Sequence, residues 1–143
     1  MASPITKKQM AEFDIMMFDG VCNFCSGSVL FSLPRLINDS VRFCPMQSGP
    51  GQTTLKNLGF PLDTFETFIF ISKGNIHTKS DAVIQLSKKL NQPWPTLGKL
   101  VEGIPKGFRD WLYMLVAKNR YKILGKKNQC LVPPKNIRKF FIL

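Results

Sequence analysis

No apolar run in this 143-residue sequence approaches the ~18 residues a membrane span requires, so no membrane partner is expected. The N-terminal stretch Met1-Ala2-Ser3-Pro4-Ile5-Thr6-Lys7-Lys8 lacks the apolar core of a secretory leader, and the cytoplasm is the expected location. No Gly-rich dinucleotide fingerprint follows a strand, which excludes NAD(P)H binding by that route. Internal repeats are absent too. Histidine occurs once, at His77, and acidic residues number nine against twenty basic ones. A zinc site normally needs a second pair of ligands; only Cys44, Cys130 and His77 remain for it, and they do not form a second knuckle.

What is present is the composition of a globular domain: 44% hydrophobic residues, enough at this length for a core without disulfides or a structural metal. One domain is expected over 1–143, with a core at 13–90 and a basic helical extension at 91–143 packed on it. Met1 to Ser87 is electrically balanced, whereas Lys88 to Leu143 carries thirteen basic residues against Glu102 and Asp110, the whole excess of +11. Such a block attracts nucleic acid or acidic partners in some proteins. With no nucleic-acid motif beside it, the reading is a solvated face, and nucleic acid is not expected as a partner.

Phe13–Phe18, stopped by Asp19-Gly20, reads as a buried strand, and Asn23 to Leu33 as a helix that Pro34 must end or kink. Val41–Cys44 is a second strand. Ser48 caps a helix running to Leu58, with Gly59 as its stop. Phe65–Ser72 and Ile76–Lys79 flank the turn Lys73-Gly74-Asn75 as a β-hairpin. Ser80-Asp81 caps a helix to Leu90, giving the order βαβαββα. Helices near Thr96–Glu102 and Lys106–Lys118 follow. In the second, Phe108, Trp111, Leu112, Leu115 and Val116 fall on one helical face, expected to pack on the sheet as core.

The chemistry sits in Asp19-Gly20-Val21-Cys22-Asn23-Phe24-Cys25. Two cysteines three apart on the first turn of a helix bring their sulfurs within bonding reach. Cys22 at the helix N-terminus meets unpaired amides and the positive end of the dipole, which favour a thiolate. Cys25, one turn on among apolar neighbours, is expected to be less accessible and suits attack on a mixed disulfide formed at Cys22. This assignment requires Cys22 to be within reach of solvent. A C-x-x-C after a buried strand inside a βαβ pattern is a redox signal; metal binding is its rival. Asp19 reads either as a proton acceptor for Cys25 or as a turn residue bonding loop amides.

Around this point the sequence resembles a family. Phe18-Asp-Gly-Val-Cys-Asn-Phe-Cys25, with its Asp19-x-x-Cys22-x-x-Cys25, is similar to the DCC family of thiol-disulfide oxidoreductases, relatives of thioredoxin. The likeness continues in Phe43-Cys-Pro-Met-Gln-Ser48, Lys79-Ser-Asp-Ala82, Arg109-Asp110, Asn119-Arg-Tyr121, and Gly125 followed by Cys130. It implies an α/β thioredoxin-like fold, a four-stranded mixed sheet of order 2-1-3-4 plus C-terminal helices, and disulfide reductase activity. Two departures from thioredoxins stand out. Asn23-Phe24 replaces their Gly-Pro, and no proline directly precedes the third strand, Pro61 lying several residues too early.

That topology brings Cys22/Cys25, Cys44-Pro45-Met46-Gln47, Glu66-Thr67 and Lys79-Ser80-Asp81 to one rim. Asn23, Phe24, Pro45, Gln47, Ser80 and Asp81 are the expected substrate-binding residues. Cys44 reads as a small buried hydrophobe, and His77 as a surface residue. Arg109, Asn119, Arg120 and Tyr121 either cap the rim or make ordinary helix-end bonds. The function expected is a protein-disulfide oxidoreductase without a bound cofactor or metal. It acts on disulfide-containing proteins and is re-reduced by an external dithiol or by glutathione. The rival functions are an adaptor docking through the basic tail and a glutathione-dependent enzyme in which Cys22 alone suffices.

Overall fold

The computed structural model describes residues 7–37, 40–62, 68–125 and 135–142. Four strands, β1 (Asp14–Phe18), β2 (Val41–Pro45), β3 (Ile69–Ser72) and β4 (Asn75–Thr78), form one sheet in the order β2-β1-β3-β4. β1 and β2 run parallel, with Phe18 opposite Pro45; β3 is antiparallel to β1 and β4 to β3. The C-terminal ends of β1 and β2, the start of β3 and the end of β4 therefore share one edge. This is the expected mixed sheet, of thioredoxin-like order.

β1 is buried along its whole length, so its alternate side chains feed two cores. Met16 and Phe18 join Phe43, Phe70, Val29, Ala82 and Leu86 on one face. Ile15 and Met17 join Cys44, Leu55, Ile69 and Ile71 on the other. The first face is covered by α2 (Asn23–Ser32) and α4 (Lys79–Ser87), with α6 (Lys106–Leu124) packed against both; α3 (Gly49–Leu58) covers the second. α1 (Lys7–Glu12), which the sequence reading did not anticipate, precedes β1, and α5 (Trp94–Glu102) packs on α4.

Local signals act where they were expected. Pro34 falls in a 3-10 turn, Leu33–Arg35, that ends α2. The Ser48 hydroxyl accepts from the Gly51 amide at 3.1 Å, and Gly59 at φ 81° closes α3. At Gly51 an added Cβ would lie 2.2 Å from the Pro45 carbonyl oxygen, so glycine lets α3 approach the end of β2. The C-terminal segment returns to the edge of β2, where the Ile142 amide donates to Phe43 O at 2.8 Å. That pairing covers part of an otherwise open strand edge.

Two expectations fail. Ser80-Asp81 does not cap α4. β4 runs straight into the helix through Lys79 at φ 54°, Thr78 holds the cap position without a side-chain bond, and Ser80 and Asp81 turn towards α6. Nor is the apolar stripe of α6 core. Phe108, Trp111, Leu112, Leu115 and Val116 are 39–60% exposed, while Ala117, Arg120, Tyr113 and Tyr121 face inward. The rotation has a polar cause: Tyr113 bonds the Phe68 amide, and Arg120 and Tyr121 bond Asp19. A buried carboxylate and a strand-start amide need partners more than an apolar stripe needs covering. Among the described residues no helix is long and apolar enough to cross a membrane.

Candidate active site

The β1–α2 junction is built by its own backbone. Asp19 Oδ1 accepts from the Val21 amide at 3.1 Å, an Asx turn, and Ser26 Oγ donates to Gly20 O at 3.2 Å. Cys22 is the N-cap of α2, and its Sγ accepts from the Cys25 amide at 3.4 Å. A sulfur thus takes the place usually held by a serine or aspartate oxygen. The Cys25 amide and the opening turn of α2 both face it.

The order of accessibility is the reverse of that expected. Cys22 is 0% exposed and Cys25 7%. The Gly125 carbonyl, just past α6, accepts from the Asn23 amide at 3.3 Å beside the cap. Phe141, from the far end of the chain, joins Cys22, Phe18 and Phe43 in one cluster. Both elements packed around the junction are remote in sequence, so the junction's own residues gave no sign of them. Burial, and then the neighbouring Cys22, push the Cys25 thiol up from its ordinary range, which keeps its proton in place.

Asp19 is 1% exposed and accepts from four donors. Beyond Val21, these are Gln47 Nε2 on Oδ1 and, on Oδ2, Arg120 Nη2 at 3.3 Å and the Tyr121 hydroxyl. Gln47 also accepts from the Gly20 amide at 2.9 Å, which ties the loop after β2 to the loop after β1. Burial and the Asp19 carboxylate raise the Tyr121 phenol to about 12. The turn role expected of Asp19 is present, together with a buried ion pair that joins α6 to the rim. Arg120 and Tyr121, named from sequence only as possible caps, become structural partners of Asp19. Their polar tips on the inward phase of α6 were the available signal.

A second polar group lies further along the rim. Ser80 donates to Asp110, and Arg109 donates to Asp81, to Ser80 at 3.0 Å and to Ile104 O at 3.2 Å. Lys106 bonds both Asp81 and Asp110. The hydrogen bonds of Arg109 and then Lys106 hold the Asp81 carboxyl below its usual range. Ser80 and Asp81 therefore fasten α4 to α6. Asn119 bonds Leu115 O, an ordinary helix contact.

Of the remaining sequence candidates, Pro45 ends β2 opposite Phe18, and Phe24 lines the cavity described below. Cys44 is fully buried, as expected, but on the opposite face of the sheet from Cys22 and Cys25. It is no third thiol of the site. His77 is half-buried on the edge strand β4. Glu66, Thr67 and Cys130 lie outside the described residues. Among the described residues no group of three or more His, Cys, Asp or Glu side chains is placed to hold a metal.

Beside the cysteines, α2, α4, α5 and α6 flank a cavity of about 760 Å3 bounded by Cys25, Asp19 and Arg120 at the rim, by Ser80 and Arg109 of the second polar group, and by mostly apolar side chains elsewhere. Cys22 does not line it. The exposed Leu112 and Val116 of α6 belong to its wall.

Residues 16–126 match the family model of the DCC1-like thiol-disulfide oxidoreductases. The chain is 44% identical over 128 residues to the uncharacterized protein YuxK of Bacillus subtilis, covering 90% of this chain and 93% of that one. It is 36% identical over 116 residues to a chloroplastic DCC family protein of Arabidopsis thaliana, covering 81% of this chain and 67% of that one. No solved structure matches at a comparable level. With the match spanning a strand, the Asp-x-x-Cys-x-x-Cys turn and the helices around it, the chain belongs to the DCC1-like thiol-disulfide oxidoreductase family.

Proposed function

We propose that Cys22 and Cys25 form a dithiol–disulfide couple that reduces or exchanges disulfides. The observation that carries this is the placement of the two thiols one helical turn apart at the opening of α2, with Cys22 Sγ on the Cys25 amide. In the reducing direction one thiolate attacks a substrate sulfur and releases the first substrate thiol. The second cysteine then attacks the mixed disulfide, releases the other thiol and leaves Cys22–Cys25 oxidised. Two electrons and two protons pass to the substrate, and an external dithiol or glutathione, expected in a reducing cytoplasm, restores the couple. Protein disulfides are the substrate expected from the sequence. Since Cys22 is covered, the couple and not the order of attack carries the proposal.

The test is mass-mapped alkylation of the reduced protein across pH, joined to an insulin-reduction assay of Cys22→Ser and Cys25→Ser. The expected outcome is loss of turnover in both variants, with Cys22 and Cys25 differing from the other thiols in their labelling. Full activity in both variants, with all thiols labelling alike, would overturn the proposal.

A further inference from the structure

We propose that the cavity beside Cys25 is the entry for a lipophilic thiol and its disulfide, and that Cys25, not Cys22, is the sulfur the ligand meets. The inference rests on the Cys22–Cys25 couple proposed above and adds a substrate class and an order of exchange to it.

Placement comes first. Cys25 borders the cavity, whereas Cys22 is fully covered and does not. A ligand arriving from this side meets Cys25 before Cys22. The chemistry of the lining then selects the ligand. Val29, Val83, Leu86, Val101, Leu112 and Val116 supply apolar wall. The polar groups among them are already engaged: Ser28 donates to Phe24 O, Ser32 to Ser28 O and Ser87 to Ile84 O, while Ser80 and Arg109 bond Asp110 and Asp81. A peptide threaded here would bring amides and carbonyls into a wall whose polar groups are engaged with one another, leaving each unmatched group desolvated without a partner. An alkyl chain brings none. At the Cys25 end Asp19 and Arg120 pair with each other, so no unopposed charge is offered to a multiply charged thiol such as glutathione. A volume of about 760 Å3 is that of a small-molecule site, not of a protein-docking groove.

The exchange balances as follows. A ligand thiolate attacks Cys25 Sγ of the oxidised couple. A ligand–Cys25 S–S bond forms, the Cys22–Cys25 bond breaks, and its electron pair leaves on Cys22, where the Cys25 amide and the helix N-terminus receive the charge. A second ligand thiolate then attacks the ligand sulfur of that mixed disulfide. It carries the ligand off as its disulfide, and Cys25 departs and is protonated. Run backwards, with the Cys25 proton passing to the departing ligand sulfur, the same steps reduce a lipophilic disulfide.

The test uses the oxidised full-length protein and a series from ethanethiol to hexanethiol, which ionise alike and differ only in apolar length. Adducts are located and timed by mass spectrometry. The expected result is modification of Cys25, with a second-order rate rising about fourfold per added methylene until the cavity is filled. Leu112→Glu and Val83→Glu, at positions 39% and 43% exposed and so tolerant of charge, should flatten that dependence. Phe108→Lys, outside the cavity, should keep it, and circular dichroism confirms that each variant is folded. Adducts on Cys22, rates independent of chain length, or an unchanged slope in both glutamate variants would overturn the inference while leaving the couple in place. An oxidised protein that takes up no thiol of any length would overturn both.

Discussion

The Asp19–Arg120 pair offers the sharpest test of how this fold is held. Asp19 is 1% and Arg120 10% exposed at the side chain, with Oδ2 and Nη2 3.3 Å apart. At an effective dielectric of ~20 two unit charges at that distance attract by about 5 kcal/mol. Most of that attraction offsets the desolvation of both ions, so the net worth of the pair is small, but removing one member exposes the full cost of the other. Asp19→Asn keeps the shape, deletes the charge and leaves the guanidinium buried without its counterion. A loss of ~3–5 kcal/mol is expected, read in urea titrations at pH 7 as a lowered midpoint with an unchanged slope. Arg120→Met should cost a similar amount, and the double variant should lose less than the sum, because neither charge remains buried. Loss of under ~1 kcal/mol in Asp19→Asn, or strict additivity in the double variant, would refute the claim that this pair joins α6 to the rim.

Other outcomes follow from the same geometry. Tyr121 holds its proton to about pH 12 in the folded chain against 10.0 as a free group; the stability this supplies is complete below pH 10 and is lost as pH rises from there to 12, and Tyr121→Phe should remove that alkaline loss from a stability–pH profile. Arg109→Met should cost ~1–3 kcal/mol, since its 11%-exposed side chain serves Ile104 O, Ser80 and Asp81. Lys106→Met, at 58% exposure, should cost under ~1 kcal/mol and less still in high salt. Trp111, 60% exposed, should be readily quenched by iodide, whereas Trp94, held edge-to-face on Phe31 with ring centroids 5.1 Å apart, should resist. Trp111→Lys should stay within ~0.5 kcal/mol of the parent, an outcome a core tryptophan would not allow.

Apart from α1, the elements and their order were legible because each carries a local physical signal. The apolar run before Asp19-Gly20, the proline after α2, the serine and glycine bracketing α3 and the hairpin turn are choices the chain makes over a few residues. Cys22 at a helix start with Cys25 one turn behind is likewise a matter of spacing. The parallel pairing of β1 and β2 then follows from the βαβ pattern, and the rim follows from the pairing.

Tertiary structure alone decided which face of α6 turns inward and which sulfur is covered. Helical periodicity marks an apolar stripe, yet it cannot weigh that stripe against a buried carboxylate 101 residues away whose need for donors drew Arg120 and Tyr121 inward. The packing around the Cys22 junction draws likewise on residues far along the chain, Gly125 on the Asn23 amide and Phe141 in the same core cluster. The four-helix cavity opening onto Cys25 has no signature in any one segment. Short-range chemistry fixed where the thiols stand along the chain, and long-range packing determined what can reach them.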